Sequence, residues 1–143
     1  MAPKTLGLDT LAIHAGQDPD PASGAVMTPI VLSSTFAQAG PGRHKGYEYS
    51  RSGNPTRNAL EACLAALEGG TDGFAFGSGC GATATLLHTL EPGDHVVCGD
   101  DVYGGTFRLF DKIMRPMGIE ATFVNMTDPD RIAAALQPKT RMI

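Results

Sequence analysis

Between Phe74 and Thr85 the chain reads Phe-Ala-Phe-Gly-Ser-Gly-Cys-Gly-Ala-Thr-Ala-Thr. A short apolar run breaks into glycines at Gly77, Gly79 and Gly81, and an alanine- and leucine-rich stretch follows to Leu90. That order predicts strand, tight turn and helix. Glycines at such a turn let backbone approach a ligand closely, and the new helix presents unpaired N–H groups to it. The partial positive charge of the helix start favours an anion. The turn is therefore either a phosphate cradle or a plain strand-to-helix connection.

The residues around it set the fold class. Asn54-Pro55 is a helix start, with a side-chain acceptor at the cap and proline in the first turn. Leu60, Cys63, Leu64 and Leu67 recur on one helical face until Gly69 and Gly70 end it. After the glycine turn, Pro92-Gly93 leads into a strand at 95–98 and a loop at 100–105. Thr106 can cap a helix carrying Phe107, Phe110, Ile113 and Met114, and Gly118 ends it. A strand at 120–125 and a helix capped by Thr127 or Asp128 follow, with Ile132, Ala135 and Leu136 on its face. A further strand opens at Thr140. Helices alternating with strands predict an α/β domain over 54–143 with a mostly parallel sheet. Ligands of such sheets lie at the carboxyl ends of the strands, the edge that holds both 77–81 and 100–105.

Residues 1–53 read differently. Proline and glycine recur too often for long helices, as in Asp-Pro-Asp-Pro, Thr-Pro and Gly-Pro-Gly. A short helix near 10–15, capped by Asp9 or Thr10, and an extended stretch at 29–36 are expected. The region reads as an arm poorly able to bury itself, of the kind that lies across a partner subunit or stays mobile. With the last strand only opening at Ile143, the chain reads as the N-terminal part of a longer protein.

Composition narrows the function. A net charge of −4 without a basic cluster argues against nucleic acid and anionic lipid. No apolar run approaches the ~20 residues of a membrane helix, and the N-terminal residues show no long apolar leader core. Cys63, Cys80 and Cys98 are odd in number, and four scattered histidines add no metal-type spacing. A cytoplasmic, reducing setting and no metal are expected.

Two cofactor readings compete. Gly77-Ser-Gly-Cys-Gly-Ala82 matches the dinucleotide fingerprint, with Asp100 after the second strand where a ribose-binding acid would stand. That suits a Rossmann NAD-binding oxidoreductase, but an arm and a full helix precede the fingerprint. It also leaves Gly46-Tyr-Glu-Tyr-Ser-Arg-Ser-Gly-Asn-Pro-Thr-Arg57 without a purpose. In extended chain Tyr49 and Arg51 point to one side. A phenol and a guanidinium together suit a phosphate dianion.

Those motifs in order are Tyr-x-Tyr-Ser-Arg-x-Gly-Asn-Pro-Thr-Arg, Leu-Glu-Gly-Gly, Ser-Gly-x-Gly-Ala and Asp-Asp-Val-Tyr-Gly-Gly-Thr. From Leu11 to Ile143 the chain closely resembles the Cys/Met-metabolism family of pyridoxal-phosphate (PLP) enzymes. That family includes cystathionine γ-lyase, γ-synthase and β-lyase and methionine γ-lyase. The detail of 47–57 with 100–106 is most similar to the γ-lyase branch, with γ-synthase or methionine γ-lyase as alternatives. The resemblance implies the start of the large domain of aspartate-aminotransferase-like (fold type I) enzymes. It also implies a homotetramer of dimers that share active sites, and a sulfur amino acid as substrate. Tyr49 and Arg51 would contact the PLP phosphate of the neighbouring subunit, and Gly79 and Cys80 would offer it backbone N–H groups. Tyr103 would stack on the pyridine ring and share in proton transfer, and Arg51, Tyr103 and Arg108 would line the substrate. Where the family commonly carries Met, this chain has Cys80.

None of Lys4, Lys45, Lys112 and Lys139 lies in the context of the family's Schiff-base lysine. That lysine, the aspartate partner of the pyridinium nitrogen and the carboxylate-binding arginine would all lie beyond Ile143. The chain alone thus carries half a site. It is expected to fold poorly and to be inactive by itself; a non-catalytic truncated product is the third reading.

Overall fold

A computed structural model describes residues 6–143. Lys4 and the first residues read for a leader lie outside them. The chain divides into two compact units, Met1–Ala75 and Phe76–Ile143. The division falls after the second helix rather than after residue 53, because that helix is packed and hydrogen-bonded into the first unit.

In the first unit, α1 (Leu8–His14) starts at Gly7 without a side-chain cap, slightly earlier than a cap at Asp9 or Thr10 would place it. Asp9 instead occupies the first turn, where negative charge is favourable. Helix α2 (Pro55–Glu68) follows its sequence signals closely. Asn54 accepts from the backbone N–H groups of Thr56 and Arg57, and Gly69 closes the helix in the left-handed region at φ 67°. Gly16, at φ 68°, lets the end of α1 approach α2, since a Cβ there would lie 2.6 Å from the Ala62 methyl. The Thr56 hydroxyl donates to the Pro29 carbonyl at 2.8 Å and accepts the Val31 N–H at 2.9 Å, which ties the extended 28–31 stretch to α2. A thin antiparallel ladder then joins Phe36 N–H to the Glu48 carbonyl and Ser50 N–H to the Ser34 carbonyl.

Little of this unit is buried. Among its described hydrophobic residues only Ala65 is buried, while Val26, Met27, Ile30 and Leu32 are exposed, Leu32 to 91%. The expected strand at 74–76 does not form. Those residues run without a strand partner, Phe74 is 79% exposed, and the Ala75 N–H goes to the Glu61 carboxylate at 2.9 Å. Apolar composition gave the segment its strand character, but a strand also needs a neighbouring ladder to satisfy its backbone.

The second unit runs α3 (Gly79–Leu87), β1 (His95–Gly99), α4 (Gly104–Leu109), β2 (Glu120–Val124), α5 (Pro129–Ala135) and β3 (Thr140–Met142). Its three strands are parallel in the order β2-β1-β3, which agrees with the expected α/β class. Val96 pairs with Ala121 on one side and Met142 on the other. Leu87, Val96, Phe110, Met114 and Ile119 make the core, with Ala121, Phe123 and Met142 packed against it. Phe110 meets Phe123 edge to face at 5.7 Å. Helix α4 starts after Tyr103 rather than after Thr106. It widens into a π-helical turn over Phe110–Met114, marked by the Arg115 N–H reaching the Phe110 carbonyl at 2.9 Å. Helix α5 is capped by Asp128, with Pro129 at its first position. Alternation along β1 turns His95 away from the Val96 side. Its ring is 1% exposed, with Nδ1 2.9 Å from the Thr140 hydroxyl and Nε2 2.8 Å from that of Thr122.

Candidate active site

Ser78 organises the start of α3. Its hydroxyl accepts the Gly81 N–H at 3.0 Å, and its carbonyl accepts the Ala82 N–H at 3.0 Å. The N–H groups of Gly79 and Cys80 occupy the first two helical positions, which lack intrahelical acceptors. A Cβ on Gly77 or Gly79 would meet nothing within 4 Å, so the face that these donors present is open. Two cavities of this unit lie elsewhere. One of about 470 Å³ runs beside β2 and α5, and one of about 270 Å³ lies next to His95.

Tyr103 stands in the loop after β1, at the N-cap of α4, with 74% of its surface exposed. Its ring edge and the Cys80 sulfur converge on Gly105. The Cβ that Gly105 lacks would be 2.5 Å from Tyr103 Cε1 and 3.0 Å from Cys80 Sγ. Cys80, at the start of α3, and Tyr103 are thereby brought to one place. Arg108 is exposed in the last turn of α4. Among the described residues it makes no ion pair. Asp100 is exposed in the same loop as Tyr103. Cys98, at the end of β1, packs against the core. Burial pushes its thiol above the ordinary value of 9.0, opposed by a weaker hydrogen bond with the Gly99 backbone, so it is not poised as a nucleophile.

The lysines of this unit stand apart from that loop edge. Lys112 is paired with Asp111 at 2.7 Å in the π-helical turn. Lys139 precedes β3, and its carbonyl accepts the His95 N–H at the opposite, amino edge of the sheet.

In the first unit, Tyr49 ends the thin ladder. Its carbonyl accepts the N–H groups of Ser52 and Gly53, so Arg51 lies in a turn rather than in the extended chain expected. The two side chains nevertheless associate, with the Arg51 guanidinium 4.8 Å from the centre of the Tyr49 ring, a cation–π contact. Other residues of the motif hold this turn. Arg57 Nη1 donates to the Ser50 carbonyl at 3.0 Å, and the Asn54 amide donates to Ser50 Oγ and the Val31 carbonyl. Tyr47 packs on Phe36.

Two residues escaped the sequence reading. Ser78 as the α3 cap had a signal that could have found it, because a serine before a helix start is a cap residue. Gly105 was not, because its neighbours at 80 and 103 meet only in three dimensions. The donors present, two helix-start N–H groups with an exposed phenol ring in one unit and a stacked phenol–guanidinium pair in the other, suit a phosphate and a flat aromatic ring. Within the second unit Lys112 is taken up by Asp111 and Lys139 lies at the opposite edge of the sheet, so neither completes such a site.

The family model for the Cys/Met metabolism PLP-dependent enzymes matches residues 9–143. A probable cystathionine gamma-synthase of Herpetosiphon aurantiacus is 56% identical over 137 residues, 96% of this chain and 43% of that protein. A cystathionine beta-lyase of Coxiella burnetii is 58% identical over 95% of this chain and 35% of its own length. The crystal structure of cystathionine gamma-lyase from Lactobacillus plantarum, complexed with L-serine, superposes with a TM-score of 0.84. It is 44% identical, and the match covers 96% of this chain and 36% of that one. The chain therefore spans about two fifths or less of the length of these relatives. The family match sets aside the NAD-binding alternative and fixes PLP as the cofactor. The named activities divide among synthase, β-lyase and γ-lyase. By its family match and its fold, this chain belongs to the Cys/Met metabolism PLP-dependent enzymes.

Proposed function

We propose that this chain is the N-terminal, cofactor-holding part of a PLP-dependent carbon–sulfur lyase. The reaction proposed cleaves cystathionine with water to cysteine, 2-oxobutanoate and ammonia. The observation that carries this reading is the meeting of Tyr103 with the start of α3 at Gly105. It brings an exposed aromatic ring and the Cys80 side chain of the α3 start to one place, and the N–H groups of that helix start suit a phosphate. When bound, PLP supplies an electron sink for the carbanions formed as protons leave the amino acid. The residues of this chain bind and orient. Gly79 and Cys80 hold the phosphate through their N–H groups and the α3 dipole. Tyr103 stacks against the pyridine ring, and its phenol is placed to hold or pass a proton at the substrate. Arg108 and Arg51 steer the substrate's negative charge.

Tyr49 and Arg51 are proposed to act in trans, in a homo-oligomer whose dimers share active sites and pair into a tetramer. The bare apolar side chains of residues 26–32 support that assembly. The cytoplasm is the proposed compartment, supported by three unpaired cysteines. Among the described residues no helix is long and apolar enough to cross a membrane. On its own the chain is proposed to be inactive, for want of the lysine. The alternative retained is γ-synthase or methionine γ-lyase, since the relatives' names divide.

The test uses the native protein. A visible absorption of bound PLP that borohydride removes supports the cofactor reading, and its absence sinks it. Incubation with cystathionine then reads the bond cut. Cysteine with 2-oxobutanoate supports the γ-lyase, whereas homocysteine with pyruvate means β-cleavage. Failure to cleave, with consumption of an activated homoserine and cysteine, means synthase.

A further inference from the structure

We infer that Gly105 is a positioning residue that seats the Tyr103 ring. The inference rests on the reading of Tyr103 as the ring-stacking group. Gly105 is the second residue of α4, and its backbone does not adopt the positive φ that calls for glycine. Glycine is a poor helix former at such a position, so its backbone freedom does not account for it. The space beside it does. A Cβ would lie 2.5 Å from Tyr103 Cε1, 2.9 Å from Tyr103 Cδ1 and 3.0 Å from Cys80 Sγ. Its neighbour Gly104 shares the helix start but would meet nothing within 4 Å. The missing methyl group at 105 is what lets the phenol ring lie over the first turn of α4 and against the start of α3.

The clash falls on the outer edge of an exposed side chain. The ring, rather than the fold, therefore gives way when the space is filled. It swings about χ1 toward solvent, away from the helix-start donors. Cys80 has less freedom, because it belongs to the first turn of α3.

The test is a pair of variants in the native protein, Gly105→Ala alone and Gly105→Ala with Tyr103→Ala. In a crystal structure without cofactor, Gly105→Ala alone should show Tyr103 at a changed χ1. With PLP bound, its induced circular dichroism should approach that of Tyr103→Ala, and kcat/KM should fall by up to about a hundredfold, the cost of misplacing a group by about 1 Å. In the Tyr103→Ala background the alanine should change kcat/KM by less than about twofold, the limit for a residue acting only through the other. An unchanged χ1, or losses that multiply, would overturn the proposal. Should Gly105→Ala alone fail to fold, the double variant decides: folding without the ring supports the seat, and failure there overturns it. A native protein that binds no PLP defeats the functional reading, while the χ1 comparison still decides the role of Gly105.

Discussion

The hydroxyls on either side of His95 offer a graded test of what holds the parallel sheet in register. The imidazole is 1% exposed and bridges three strands, reaching Thr122 on β2 and Thr140 on β3. Thr122→Val keeps the branched shape and removes one hydroxyl, leaving Nε2 without its protein partner. A buried unsatisfied group costs about 1–3 kcal/mol. Thr140 makes a second bond, accepting the Gln137 N–H at 2.8 Å. Thr140→Val therefore loses that bond as well, worth about 0.5–1.5 kcal/mol net, and should be the more damaging of the two. At about tenfold per 1.4 kcal/mol, amide protection along β1 should drop roughly tenfold in Thr122→Val and further in Thr140→Val. Hydrogen exchange of the β1 peptide in the native protein measures it. Replacing all three at once, His95→Leu with both valines, removes the imidazole and both hydroxyls together, leaves only the exposed Gln137 N–H without its acceptor, and should recover part of the loss. Equal effects of the two valines, or no effect of either, would refute the assignment of this triad to the sheet.

Further expectations concern the site and the chain. Arg51→Ala should weaken PLP retention, and mixing it with a variant lacking the catalytic lysine should restore some activity in hybrid oligomers; no rescue would count against a shared site. Cys98 should alkylate more slowly in the folded protein than in the unfolded chain, because burial holds its thiol neutral. The sign follows from its folded pKa lying above the unfolded one: the neutral thiol's contribution is full below 9.0 and is lost as pH rises through the folded value. Mass spectrometry of alkylated peptides reads the labelling, and alkaline unfolding reads the stability. The intact mass from the natural source should lie well above that of 143 residues. A mass equal to it would withdraw the lyase reading.

Local chemistry made some elements legible. The Asn54-Pro55 start and Gly69 stop bound α2, and Asp128-Pro129 starts α5, because each signal acts within a few residues. The strand expected at 74–76 failed for the complementary reason, since a strand depends on a ladder partner that local sequence does not supply. Tyr103 took the start of α4 from Thr106, and the π-helical turn at 110–114 carries no sequence mark that propensity reads. His95 looked like one of four scattered histidines until strand register brought two threonines to it. Cys80 and Tyr103 were legible singly through their motifs. Their meeting depends on how α3 and α4 pack.

That division between local and packed information bears on which reaction the protein performs. Relatives named for a synthase and for lyases of either bond match this segment to a similar degree, so its sequence is compatible with more than one outcome. The donors it carries explain why. Helix-start N–H groups recognise a phosphate, an aromatic face recognises a pyridine ring, and a tyrosine–arginine pair adds charge for an anion. All of these belong to what the different reactions share. Choosing which bond to break requires placing a base at one carbon rather than another, and that calls for an amine and a carboxylate anchor whose positions relative to the ring are fixed. In the proposed site Tyr103 is the group of this chain nearest to that choice, because it would both face the ring and carry an exchangeable proton. On that proposal a change in its seat at Gly105 would alter the partition between products as well as the overall rate, whereas loosening the proposed phosphate donors at Gly79 and Cys80 would lower cofactor retention and leave the partition unchanged.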